Sequence, residues 1–265
     1  MNEYLKQNIS VKTHQIHLQN INKLGDAIDY TIDKLIEHMR QTYTSTEQFK
    51  FGKTILKVIK YKITQNELTQ DDYDTFNIYF KENRLDVEQN QIMNTRQIKR
   101  KLSDGAVKTA NQLYSQLDVY YENDQYKHFV INFLLMYYHV RNLDLDLIIT
   151  DNPDDVDETN NFLLVERNRI TYTRNQYKTF HLYGKKTYEI RDKRFVYAVS
   201  QLEKGRLLKT QNIAQELKRY IVDNMTEATI NKILIAEMNL NQLKHASESR
   251  GTSLEVLYKY YNINI

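Results

Sequence analysis

The residues of this chain that could do chemistry are mostly cations gathered locally. Arg96, Lys99, Arg100 and Lys101 stand together, and Arg167, Arg169, Arg174, Lys178, Lys185 and Lys186 fall in one short region. Clusters of this kind are ordinarily solvated faces, and the chemistry they offer beyond that is neutralising phosphates. Other chemistries find little support. The chain has no Cys, which removes disulfides, thiol catalysis and zinc-thiolate sites. There is no phosphate-cradling Gly loop, no His-Glu-x-x-His and no paired His/Cys spacing, so neither a metal nor a cofactor is expected. The acidic run Asp151, Asp154, Asp155, Asp157 and Glu158 lacks the Gly and the ligand spacing of a calcium loop and reads as solvated.

The composition bounds what could position these groups. With 41% hydrophobic and 27% charged residues, the 265-residue chain can bury a real core as one large domain or two ordinary ones. One Pro and six Gly favour long helices over a turn-rich β fold. The net charge of +3 decides little about partners. No apolar stretch approaches the roughly 20 residues that span a bilayer, and MNEYLKQNIS lacks the apolar centre of a signal peptide, so membrane insertion and secretion are not expected. The 21 Tyr, no Trp and frequent Asn, Ile and Lys suggest a gene rich in A+T, as in a virus or mobile element.

Apolar residues recur at threes and fours along Ile16, Leu18, Ile21, Leu24, Ile28, Ile32, Leu35 and Ile36, which predicts two helices broken near Gly25. Phe49, Ile55, Leu56, Ile59 and Ile63 predict a third after a polar break, and Asp71 to Phe80 a fourth, so residues 1–85 read as a small helical bundle. Residues 86–102 are polar and weakly periodic and read as a basic linker. Ser103 is a plausible N-cap for a helix through Tyr120, and a strongly apolar helix follows from Phe129 to about Val140. FLLVE, RITYTR and KTYEI are short β-rich runs that predict a three-stranded antiparallel sheet, after which helices return through Leu257. The fold class is therefore mainly α with a small antiparallel β-sheet.

Four segments of this layout resemble the tyrosine recombinase (phage integrase) family, over nearly the whole chain. Ser10, Thr13, His17, Ile21 and Leu24 are similar to the opening of that family's SAM-like core-binding domain, with His17 where a Tyr is usual. In FVINFLLMYYHVRNLDLDLIITD, Arg141 stands where the family has its first catalytic Arg, followed by Leu143, Leu147 and Asp151 at matching apolar and acidic positions. A guanidinium there can grip two non-bridging phosphate oxygens. In RITYTRNQYKTFHLYGKKTYEI, Lys178 best matches the hairpin Lys that serves the leaving 5′-oxygen, and Lys185 and Lys186 compete for the role. Gly251-Thr252-Ser253 occupies the place of Gly-His-Ser, and Tyr261, nine residues after Thr252, matches the nucleophile that forms a 3′-phosphotyrosyl link; Tyr258 and Tyr260 are within a one-turn shift. The resemblance implies a SAM-like core-binding domain (1–85), a basic linker (86–102) and a catalytic-fold domain (103–265).

The pattern also breaks. The His-x-x-Arg cluster should lie within TEATINKILIAEMNL, where Lys232 is the only cation, and Thr252 replaces a phosphate-donating His. Losing one preorganised donor costs about 10²–10³ in rate, so losing three leaves almost no turnover. The resemblance then implies a duplex-DNA-binding protein with weak or lost strand cleavage. Arg141, Lys178, Lys232 and Tyr261 would form what remains of the catalytic set, and Arg96, Lys99, Arg100, Lys101, Arg174, Lys185 and Lys186 would contact DNA. It would work in the cytoplasm or nucleus of a host cell. One alternative is a live recombinase whose missing cations come from Arg219, Arg250 or His245. Another is a virion-associated structural protein that reuses the fold. The four residues after Tyr261 offer no tail for subunit exchange, which favours a monomer or dimer.

Overall fold

The computed structural model describes residues 1–6, 11–210 and 212–260, with the backbone alone at Asn2, Lys12, Lys259 and Tyr260. The chain divides into two compact units, residues 1–93 and 94–265.

The first unit is helical: α1 (Asn2–Lys6), α2 (Val11–Leu24), a 3₁₀ turn (Gly25–Asp29), α3 (Ile32–Thr42), α4 (Ser45–Thr64) and the start of α5 (Gln70–Ser103). α4 begins where the polar break predicts, because Thr44 and Glu47 form a capping box that satisfies two orphan amides. Ile32, Leu35, Met39, Phe51, Ile55, Ile59 and Phe76 fill the core. Gly52 is needed for close approach: a Cβ there would stand 2.2 Å from the Phe80 ring. The inner face of α2 differs from the expected apolar stripe. Ile16 is exposed, while His14, His17, Asn20 and Leu24 turn inward. Thr54 on α4 explains it, since His17 Nδ1 lies 2.8 Å from Thr54 Oγ1 and Asn20 Nδ2 donates to the same oxygen at 2.9 Å. Hydropathy cannot register a polar residue whose partner lies across the bundle.

Residues 86–102, read as a linker, are helical throughout as part of α5, which continues to Ser103. With no Gly or Pro between Gly52 and Gly105, a polar sequence of good helix formers continues the helix even with weak amphipathicity. Ser103 therefore ends a helix where it was expected to start one. The cap that opens α6 (Ala110–Glu122) is Thr109, in a box with Gln112.

In the second unit α7 (Tyr126–Tyr138) is buried along Phe129–Met136 and packs against α6, α9 (Lys193–Ser200), α11 (Glu227–Ala236) and α12 (Leu240–Arg250). A helix apolar on every side has to be central. The three runs expected as strands are β2 (Asn161–Glu166), β3 (Arg169–Arg174) and β4 (Lys186–Ile190), paired antiparallel in that order. The sheet is larger and mixed, however. β1 (Leu147–Thr150) pairs parallel with β2, and the two-residue β5 (Gly205–Arg206) pairs antiparallel with β1, giving the order β4-β3-β2-β1-β5. Short helices α8 (Phe180–Tyr183), α10 (Ile213–Leu217) and α13 (Leu254–Tyr260) complete the unit. No described helix is long and apolar enough to cross a membrane.

Candidate functional site

The end of α12 is where the chemistry-bearing side chains of the second unit meet. The last carbonyls of a helix have no partner inside it and carry partial negative charge, so they attract donors. α12 closes on Gly251 (φ 63°), with Thr252 N donating back to Ser247 O at 3.0 Å. Around this end, Arg141 Nη1 donates to Arg250 O at 2.8 Å and Arg174 Nη1 to Ser249 O at 2.6 Å. Lys186 Nζ donates to Glu248 O, and Thr179 Oγ1 to Gly251 O at 2.5 Å. A side chain at 251 would fit neither the backbone angle nor the space, because its Cβ would lie 2.9 Å from both Thr179 Oγ1 and Tyr177 Cε2.

Each cation arrives from a different element. α7 stops at His139, which adopts a left-handed conformation (φ 48°), so the chain turns and Arg141 begins a 3₁₀ turn. Asp144, three residues on, accepts from Arg141 N at 2.8 Å and holds that turn. Arg174 is the last residue of β3 and Lys186 the first of β4, and the two are register partners. Arg174 is fully buried, ion-paired with the equally buried Asp144 and stacked over the Tyr177 ring at 4.7 Å. Arg250, the last residue of α12, donates to His139 O at 3.0 Å and pairs with Glu227 Oε1 at 2.7 Å. Ser249 Oγ ties the same segment to Tyr138 O at 2.6 Å.

The electrostatics follow from this crowding. Four cations (Arg141, Arg174, Lys186 and Arg250) surround the inward carboxylates of Asp144 and Glu227. Partial burial, with Arg174 and Arg141 close by, pushes the Lys186 ammonium down to about 8 against the pull of Asp144 and Glu248. Burial pushes the Asp144 carboxyl up from its ordinary range, opposed by Arg174 and the Arg141 amide. Burial, then Arg250 and His245, push the His139 imidazole down to about 4. Among the described residues no partner reaches Asp144 Oδ1 or Arg174 Nε, although both are buried.

Of the expected residues the structure brings together Arg141, Arg174 and Lys186 at the end of α12, with Arg250 of the alternative set beside them. Lys178 is exposed on the β3–β4 connection, as is Lys185. Arg174, expected as a DNA contact, is instead 0% exposed; Asp144, thirty positions earlier, takes its charge inward. Lys232 is half-buried, with burial lowering its ammonium. It lies a helical step of ~100° past Asn231, which shares its face of α11 with Glu227 through Nδ2 bonds of 3.0 and 3.1 Å. Asn231 thus takes the inward position that Lys232 was expected to fill. Arg96, Arg100 and Lys101 are exposed on α5, whose Ile98 and Leu102 pack on the core of the second unit; Lys99 is half-buried. Ser10 and Tyr261 lie outside the described residues.

Sequence reasoning missed Asp144, Glu227 and Asn231. Asp144 left a trace, since an acid three residues after the start of a turn is capping-box spacing. Glu227 and Asn231 are four apart and so share a helix face, but nothing local marks that face as meeting Arg250. Arg141 and Lys186 are the half-buried cations of the site, whereas Arg174 and Arg250 are buried. No group of three or more acidic or His side chains among the described residues could hold a metal ion. Searches against family models, curated proteins and solved structures return no match for this chain.

Proposed function

We propose that the chain is a duplex-DNA-binding protein of tyrosine recombinase fold, with a SAM-like first unit and strand cleavage weak or lost. The carrying observation is the gathering of Arg141, Arg174, Lys186 and Arg250 at the end of α12, directly before Gly251-Thr252-Ser253. That places a guanidinium and a low-pKa Lys at the edge of one site, with the exposed Lys178 and Lys185 on the adjoining connection. Affinity for duplex DNA comes from many such phosphate contacts.

Cleavage needs more than this. A second guanidinium is absent from α11, where Asn231 faces inward, and Lys232 cannot supply a bidentate grip. Arg250, the best substitute, is 4% exposed and engaged by Glu227 and His139 O, which disfavours the reading of a live enzyme. The test is a suicide duplex nicked beside the scissile position, with covalent adducts read on a denaturing gel. No adduct is expected under conditions where the duplex is bound. An adduct that disappears in Tyr261→Phe would restore the active enzyme. The cytoplasm or nucleus of a host cell is the compartment this reading implies.

A further inference from the structure

The connection between β3 and β4 carries a feature that the phosphate contacts do not use. Residues 175–185 hold a single helical turn, α8, whose side chains point away from the core: Leu182 is 70% exposed, Tyr183 44% and Phe180 40%. Three large apolar side chains side by side in water call for an explanation, because isolated exposed residues are ordinary and a clustered tip is not. Nor is the tip a loose loop. Tyr177 OH donates to Gly184 O at 2.6 Å and closes its base, Gly184 supplies the left-handed turn (φ 65°), and Thr179 Oγ1 fastens it to Gly251 O. The Tyr177 and Phe180 rings meet edge to face at 6.0 Å. An apolar tip held out by polar anchors at its base is preorganised for a partner.

The charge around the tip identifies that partner's class. Residues 175–186 contain Lys178, Lys185, Lys186 and His181 and not one Asp or Glu. Lys186 Nζ lies 5.5 Å from the Tyr183 ring, so cation and apolar tip form one surface. The partner is therefore anionic with an apolar interior. A second copy of this chain would bring like charges together. An anionic bilayer needs a long amphipathic face or an acyl chain for stable anchoring, and one helical turn offers neither. A base-pair step needs only one or two apolar side chains to be pried open, with cations on the phosphates beside it.

We propose that Leu182, flanked by Phe180 and Tyr183, inserts as a wedge between base pairs of duplex DNA and bends it, while Lys178 and Lys185 hold the neighbouring phosphates. This rests on the reading of the chain as a duplex-DNA binder and adds deformation of the duplex to it. Wedges of this kind kink DNA by roughly 20–90°.

The test uses the full chain and a mixed-sequence duplex of about 30 base pairs carrying a donor and an acceptor dye at its ends, with anisotropy read in parallel. The wild type should bind and shorten the end-to-end distance. Leu182→Ser, a change at an exposed site that leaves the core intact, should bind about three- to tenfold more weakly with an unchanged salt dependence and leave the duplex straight. Phe180→Ser should give a partial loss of bending. Binding without bending by the wild type, or undiminished bending by Leu182→Ser, overturns the wedge while the duplex-binding reading stands. No anisotropy change at low salt overturns both. Leu182-dependent flotation with phosphatidylserine vesicles, without DNA bending, also overturns the wedge and assigns the tip to a lipid surface.

Discussion

Asp144→Ala should destabilise the second unit by about 3–5 kcal/mol, read as a lower urea midpoint at an unchanged slope. Asp144 is the counter-ion of a guanidinium with no exposed surface, so its removal strands the Arg174 charge in the core. The carboxylate also holds the Arg141 amide at the start of the 3₁₀ turn, and that contact is lost as well. A buried pair is expensive to form, and an apolar pair of similar volume is often as stable. The double variant Asp144→Ala/Arg174→Met should therefore regain much of the loss, because no charge is left unpaired. If Asp144→Ala costs under about 1 kcal/mol, which is the range of an exposed pair, Arg174 is not buried as described.

Stability should also fall steeply below neutral pH, by about 3 kcal/mol between pH 6.5 and 4 from His139 alone. The folded chain keeps this imidazole neutral down to about 4, because burial and the neighbouring Arg250 and His245 penalise a further cation. The unfolded chain takes up the proton near 6.5, so below that pH the unfolded state binds more of it. The contribution is present above pH 6.5 and lost as the pH falls to 4. His17 in the first unit, lowered by burial, Lys57 and His14, acts in the same direction. Denaturant melts of His139→Asn, whose side chain tolerates the left-handed backbone at that position, should show a visibly shallower loss on acidification. An identical pH profile in the variant would place the acid sensitivity elsewhere.

Particular residues explain what was legible in the sequence. The strands β2 to β4 could be read because residues such as Phe162, Ile170 and Tyr172 stand in compact β-branched and aromatic runs with a Gly between the last two strands. β1 could not, since Leu-Ile-Ile-Thr is too short to tell from a helical turn, and its parallel pairing with β2 is fixed by contacts that no local pattern announces. Gly205-Arg206 is shorter still. The polar half of α5 defeated periodicity because nearly all of its sides are hydrophilic, and intrinsic propensity sustains it there.

In the site, Arg141 was singled out by the resemblance, which places an Arg after an apolar helix. Of Lys178, Lys185 and Lys186, strand register puts Lys186 opposite Arg174 and within reach of the α12 carbonyls, which no local pattern announces. The burial of Arg174 depends on a carboxylate thirty positions away, and a count of charges along the chain takes no account of such a partner.

A salt titration of duplex affinity tests most directly the proposal that this chain holds duplex DNA through phosphate contacts. Each neutralised phosphate contributes about 0.9 to the slope of log affinity against log salt. With Arg141, Lys178, Lys185, Lys186 and the α5 cations Arg96, Arg100 and Lys101 as contacts, a slope of about −6 is expected. The Lys178→Glu/Lys185→Glu variant, altered at two exposed positions, should bind more weakly with a slope shallower by about two. Absence of binding at low salt, or a slope that the double reversal leaves untouched, would contradict the account.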